Sequence, residues 1–75
     1  MMKWKKVAED RVNALTELPV GAKKEIWIAD TSHKIFNECF EPIKFGNREH
    51  NWRVDIRNEL RRLLKIRASL NTQAP

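Results

Sequence analysis

The stretch that decides the fold is residues 51–70, NWRVDIRNELRRLLKIRASL. Its apolar side chains recur at the spacing that places them on one face of an α-helix. We predict a helix over residues 48–70 with one basic face and one apolar face. The predicted apolar face carries Trp52, Ile56, Leu60, Leu63, Ile66 and Leu70.

Two further amphipathic segments precede this helix. Residues 3–18 repeat apolar side chains at helical spacing and lead into Pro19-Val20-Gly21, which breaks helices because proline disfavours helical geometry in the residue before it. Residues 22–40 form a second predicted helix that ends before Pro42. Three amphipathic helices predict an all-α, three-helix bundle that forms a single domain over residues 1–75.

Some segments fall outside the clear helical pattern. Residues 25–29 also admit a short strand because their Ile-Trp-Ile run suits a sheet, which would make the fold α with one strand. A lone strand would leave its backbone groups unpaired, so we favour the helix there. Residues 42–46 are predicted to be a loop with Ile43 and Phe45 against the core, and residues 71–75 to be a polar, frayed tail.

The positive charge is concentrated in the last third of the chain. The 15 Lys and Arg residues exceed the 10 Asp and Glu residues by five. Residues 51–75 contain six bases and two acids, which accounts for +4 of the net charge of +5. Such a charge on a small protein favours anionic partners, namely nucleic acid, an acidic protein or anionic lipid.

The predicted binding site lies on the third helix, where Arg57, Arg61 and Lys65 are four residues apart and repel one another. A helix that tolerates this repulsion is typical of a polyanion-binding surface, although a solvated helix without a partner has the same pattern. We expect nucleic-acid binding; the alternative is an adaptor, inhibitor or accessory subunit that docks on an acidic protein. The predicted site residues are Arg53, Arg57, Arg61, Arg62, Lys65, Trp27 and Lys34.

Trp27 is the second candidate binding feature. On a helix it projects about 150° from the centre of the apolar face, close to Lys23 and Lys34, which predicts an exposed indole. An exposed tryptophan between lysines suits stacking on a nucleobase or anchoring a protein interface. Cover by the tail, the loop or a second copy of the chain in a homodimer is the other interpretation.

The residue inventory argues against enzymatic or metal chemistry. Cys39, His33 and His50 lack the paired spacing of zinc ligands, and the two glycines cannot form a phosphate-binding loop. Cys39 belongs to an apolar stripe, so we interpret it as a small buried side chain. We therefore expect no enzyme activity, no metal and no cofactor. Without a membrane-spanning run or a signal peptide, we expect a cytoplasmic protein that does not enter membranes.

About a third of the chain resembles a known family. Asp10-Arg11-Val12-Asn13, then Ala22 and Lys24-Glu25, and the segment from Trp52-Arg53 to Leu60-Arg61 are similar to the theta accessory subunit of bacterial DNA polymerase III. The resemblance implies a three-helix domain that binds and stabilises a proofreading subunit. Pro19 departs from the family's continuous first helix, and the stretch between the matched parts is longer here.

Overall fold

The computed structural model describes residues 3–40 and 46–73, with side chains for residues 3–40 and 52–70. Its helices are α1 (Lys3–Asn13), α2 (Gly21–Phe40) and α3 (Gly46–Gln73). Each helix packs against the other two. The prediction of an all-α, three-helix bundle is thus confirmed. The alternative strand at residues 25–29 is wrong, because that segment lies inside α2 and satisfies its backbone hydrogen bonds locally.

Helix α1 ends at Asn13, before the predicted end at residue 18. The last carbonyl groups of a helix have no helical donors, and they need partners from elsewhere. Arg67 of α3 supplies them, since its guanidinium donates hydrogen bonds to the carbonyl oxygens of Val12 and Leu15. The amide of Leu15 also bonds the Val12 carbonyl at 3.2 Å in a tighter final turn. A residue distant in sequence therefore caps α1.

Helix α2 keeps nearly its predicted limits. It begins at Gly21, whose φ of 59° lies in the left-handed region that glycine adopts without strain. It ends at Phe40, two residues before Pro42, as the helix-disfavouring effect of proline predicts. Most of its apolar face is buried, including Ile28 and Ile35.

Helix α3 is longer than the predicted range of residues 48–70. It begins at Gly46, within the predicted loop, and it includes the first residues of the predicted tail at 71–75. The rest of that loop, with Ile43 and Phe45, lies outside the described residues, as does the end of the tail.

The aromatic side chains fix how the helices run. The Phe40 ring stacks on Trp52 with 4.7 Å between ring centroids and approaches Trp4 at 6.4 Å. Trp4 and Trp52 lie early in α1 and α3, whereas Phe40 ends α2, so α1 and α3 run parallel and α2 runs antiparallel to both. Among the described residues, the buried hydrophobic core comprises Ala8, Val12, Ile28, Ile35, Phe36, Phe40, Ile56, Leu60 and Leu64.

The buried stripe of α3 differs from the predicted one. Leu64 is buried with Ile56 and Leu60, whereas Ile66 is 44% exposed and Leu70 is 61% exposed. The lengths of the helices explain the difference, since 11 residues in α1 and 28 in α3 span about 16 and about 42 Å. Arg67 already contacts the end of α1, so the last turns of α3 extend past the helix that would cover them.

Candidate functional site

The bases of α3 flank its buried stripe. Arg57, Arg61 and Lys65 were predicted to lie opposite the core, but the buried stripe turns toward them because it includes Leu64. Around the helix axis, Arg57 and Arg61 lie about 60° and about 100° from Leu60. This places them along the boundary with α2. Arg57 is half-buried there, and Lys65 is exposed.

Arg61 makes a contact between helices at this boundary. Its Nη2 atom donates to Glu25 Oε1 of α2 at 3.2 Å, and its Nη1 atom donates to Asn58 Oδ1 at 3.3 Å. Both charged groups of the Arg61–Glu25 pair stay about half exposed. Within the described part of the chain, Arg57 and Lys65 make no ion pair. These two bases are therefore the most available ones on this side of α3.

Arg53 is engaged inside the bundle. Its guanidinium carbon lies 4.7 Å from the centroid of the Phe36 ring, a cation–π distance. Its Nη1 atom also lies 3.2 Å from His33 Nδ1 of α2. Arg53 thus joins α3 to α2, and these contacts engage its guanidinium.

Arg62 lies on the other flank of α3, about 100° around the axis from Arg61. It binds Glu59 through two hydrogen bonds, Nε to Oε1 at 3.1 Å and Nη2 to Oε2 at 2.7 Å. The hydrogen bond from Arg62 lowers the pKa of Glu59 below its ordinary value, and the same bond raises the pKa of Arg62. Arg62 is thus paired within its own helix and separate from the Arg57–Lys65 row.

Trp27 and Lys34 do not join the α3 bases. The Trp27 side chain is half-buried and packs against the core, so the exposed indole predicted from the helical wheel is wrong. Thr31, one turn further along α2, is 5% exposed, so the buried face of α2 is wide enough to reach Trp27. Lys34 forms an ion pair with Asp30 at 3.1 Å on the outer flank of α2. The predicted site therefore does not form one continuous surface.

A groove lies beside Arg61 and Lys65, and we call it the basic groove. It has a volume of about 520 Å³ and opens between α3, the start of α2 and the segment that joins α1 to α2. Val20 at its edge is 73% exposed. The lining residues are Leu18, Pro19, Val20, Gly21, Lys24, Glu25, Arg61, Leu64, Lys65 and Ala68.

The basic groove includes residues that sequence reasoning did not select. Lys24 and Glu25 belong to a segment in which acids and bases are equal in number, so its net charge does not indicate a binding site. Val20 was interpreted only as part of a helix breaker. One signal was present, since an apolar β-branched residue between Pro19 and Gly21 has no helical face to join and must pack separately or stay exposed.

Cys39 and Glu59 are the other reactive side chains that the structure describes. Cys39 is half-buried, and burial, followed by the charge of Glu38, raises the pKa of its thiol and keeps it protonated. Glu59 is bound by Arg62. In the described part of the chain, no cluster of three or more metal-binding side chains occurs. None of the helices described here has an apolar stretch long enough to cross a bilayer.

Comparison with known proteins gives no match to a family model, a curated protein or a solved structure. The theta-subunit family, which part of the sequence resembles, is therefore not matched either. Helix α1 also ends at Asn13, whereas that family has a continuous first helix. The function therefore has to be inferred from the geometry of the surface.

Proposed function

We propose that this protein is a non-enzymatic interaction module whose basic groove binds an acidic, amphipathic segment of a partner protein. One observation carries the proposal: the groove combines apolar walls with three bases, Lys24, Arg61 and Lys65, against a single acid. Apolar side chains of the partner would gain contact with the walls, and its carboxylates would gain the bases.

The apolar walls favour a protein segment over a phosphate backbone. Val20 is largely exposed, and Leu18 and Leu64 form the deeper surface beside it. A phosphodiester chain has few apolar groups to pack against such walls, because its affinity for proteins comes mainly from neutralised phosphates. A peptide with aliphatic side chains one helical turn apart would bury them here while its acids face the bases.

Nucleic-acid binding is the second candidate, and the row of Arg57, Arg61 and Lys65 favours it. These bases follow one another at about 5–6 Å, close to the spacing of successive phosphates. Arg53 and Arg67 are engaged within the bundle, and Arg61 and Arg62 have carboxylate partners. Fewer bases than the sequence suggests are therefore available to neutralise phosphates and release the counterions of a nucleic acid. We therefore rank nucleic-acid binding below peptide binding.

A selection experiment tests the proposed function directly. The full chain is immobilised and short random peptides are selected from a display library. We expect enriched sequences that place Asp or Glu beside large aliphatic residues and bind with micromolar affinity. Failure to enrich any such sequence contradicts the proposal.

Matched variants then locate the binding surface. Lys65→Glu and Val20→Ser should each weaken binding of a selected peptide about three- to tenfold, because they remove a base and an apolar contact. Lys34→Glu makes the same charge change on the outer flank of α2, so it should leave affinity within about twofold. Equal losses for Lys34→Glu and Lys65→Glu would indicate attraction to overall charge and not to the groove.

Nucleic acid is examined with labelled single-stranded and duplex DNA at about 50 and about 200 mM salt. Tight binding that weakens steeply with salt, falls with Lys65→Glu and ignores Val20→Ser would replace peptide binding by the second candidate.

A further inference from the structure

Glu25 occupies a distinctive place in the basic groove. Among the described residues that line it, Glu25 is the only acid, and its carboxylate already contacts Arg61. Any acidic partner that uses Arg61 must approach this carboxylate and take its place. The groove therefore contains its own anion.

The contact between Arg61 and Glu25 is suited to exchange. It joins one guanidinium nitrogen to one carboxylate oxygen at 3.2 Å, longer than the usual charge-assisted hydrogen bond. Arg62, by comparison, holds Glu59 through two shorter bonds. Because both groups of the Arg61–Glu25 pair are about half exposed, water screens the pair and keeps it weak.

We infer that Glu25 acts as an internal competitor for the basic groove. In the free protein its carboxylate occupies Arg61, and on binding a carboxylate of the acidic partner segment displaces it. This inference rests on the proposed function and adds how the same site is regulated. Glu25 thereby lowers the affinity of the groove for any acidic segment that uses Arg61.

The test compares two glutamine variants on α2. Glu25→Gln removes the competing charge, whereas Glu38→Gln breaks a similar exposed pair, with Arg11 of α1. Glu38 lies thirteen residues after Glu25, which corresponds to about 20 Å of helix and exceeds the screening length at physiological salt. Circular dichroism verifies that both variants are folded.

We expect Glu25→Gln to bind a selected acidic peptide about three- to tenfold more tightly than the unaltered chain, and Glu38→Gln to bind within about twofold of it. If the unaltered chain binds but Glu25→Gln binds equally or more weakly, Glu25 does not compete and this inference is wrong while the proposed function stands. If neither the unaltered chain nor the variants bind acidic peptides, both are wrong.

Discussion

The arginines of α3 have different roles although they look alike in the sequence. Arg53 stacks on Phe36, Arg61 contacts Glu25, and Arg67 donates to backbone carbonyls of α1. A guanidinium can do all of this because it is planar, permanently charged and carries five N–H donors. Counting charges therefore overestimates how many bases are available to a partner.

Removal of the Arg67 side chain should destabilise the bundle more than its partly exposed position suggests. Arg67→Ala leaves the Leu15 carbonyl without its donor and removes one of two donors from the Val12 carbonyl, so we expect the free energy of unfolding to fall by about 1–3 kcal/mol. Urea unfolding followed by tryptophan fluorescence measures this as a lower midpoint with an unchanged slope.

Lys65→Ala is the control, since it removes the same charge from an exposed position on the same helix. Its effect should stay within about 0.5 kcal/mol. If the two variants lose equal stability, charge rather than capping explains the role of Arg67.

At the scale of elements, the pattern of apolar residues was enough to predict three helices, and their ends show where it fails. Pro42 acts on its own neighbours, and the end of α2 agrees with that local effect. The end of α1 depends instead on Arg67, a residue of another helix. Such a capping contact cannot be derived from the segment that it ends.

The candidate site was less predictable than the fold for a related reason. Leu63, Leu64 and Ile66 all fit an apolar face, and only the packed partners decide which of them is buried. Because Leu64 is buried and Ile66 is not, the buried stripe of α3 lies closer to Arg57 and Arg61 than predicted. The predicted basic face therefore lies along the boundary with α2. The groove combines three segments, and local periodicity describes each segment alone.

Two substitutions on α3 test this assignment of its buried stripe. Leu64 is 4% exposed, so Leu64→Ala should lower the free energy of unfolding by about 2–4 kcal/mol through lost burial and a cavity. Ile66 is 44% exposed, so Ile66→Ala should cost less than about 1 kcal/mol. Thermal unfolding by circular dichroism compares them. A larger loss of stability for Ile66→Ala than for Leu64→Ala would contradict this assignment and support the buried stripe predicted from the sequence.

For the whole molecule, two of the acids form ion pairs between helices in a chain that is rich in bases. Arg11 contacts Glu38 at 2.6 Å and joins α1 to α2, while Arg61 and Glu25 join α2 to α3. The basic groove lies where residues 18–20, which join α1 to α2, meet α2 and α3. The Arg61–Glu25 ion pair and the surplus positive charge of the groove therefore lie on the same surface, which forms only when the helices pack together.

Acid should unfold this protein, and Glu59 should contribute to the effect. Because Arg62 lowers the pKa of Glu59 in the folded state, the unfolded chain binds a proton at higher pH. The stabilisation from Glu59 is therefore complete above its unfolded pKa of about 4.3 and is lost as pH falls through the lower folded value. Protonation of the 10 acids also leaves 15 Lys and Arg residues unopposed, which adds repulsion between bases.

We expect the free energy of unfolding, measured with urea, to fall steadily between about pH 5 and about pH 2. Glu59→Gln should be less stable than the unaltered chain at neutral pH and should lose less stability on acidification, because its side chain no longer takes up a proton. Glu17→Gln changes an exposed acid for which the described residues offer no ion pair, and it should follow the unaltered chain. Parallel profiles for Glu59→Gln and the unaltered chain would mean that acid acts through net repulsion alone.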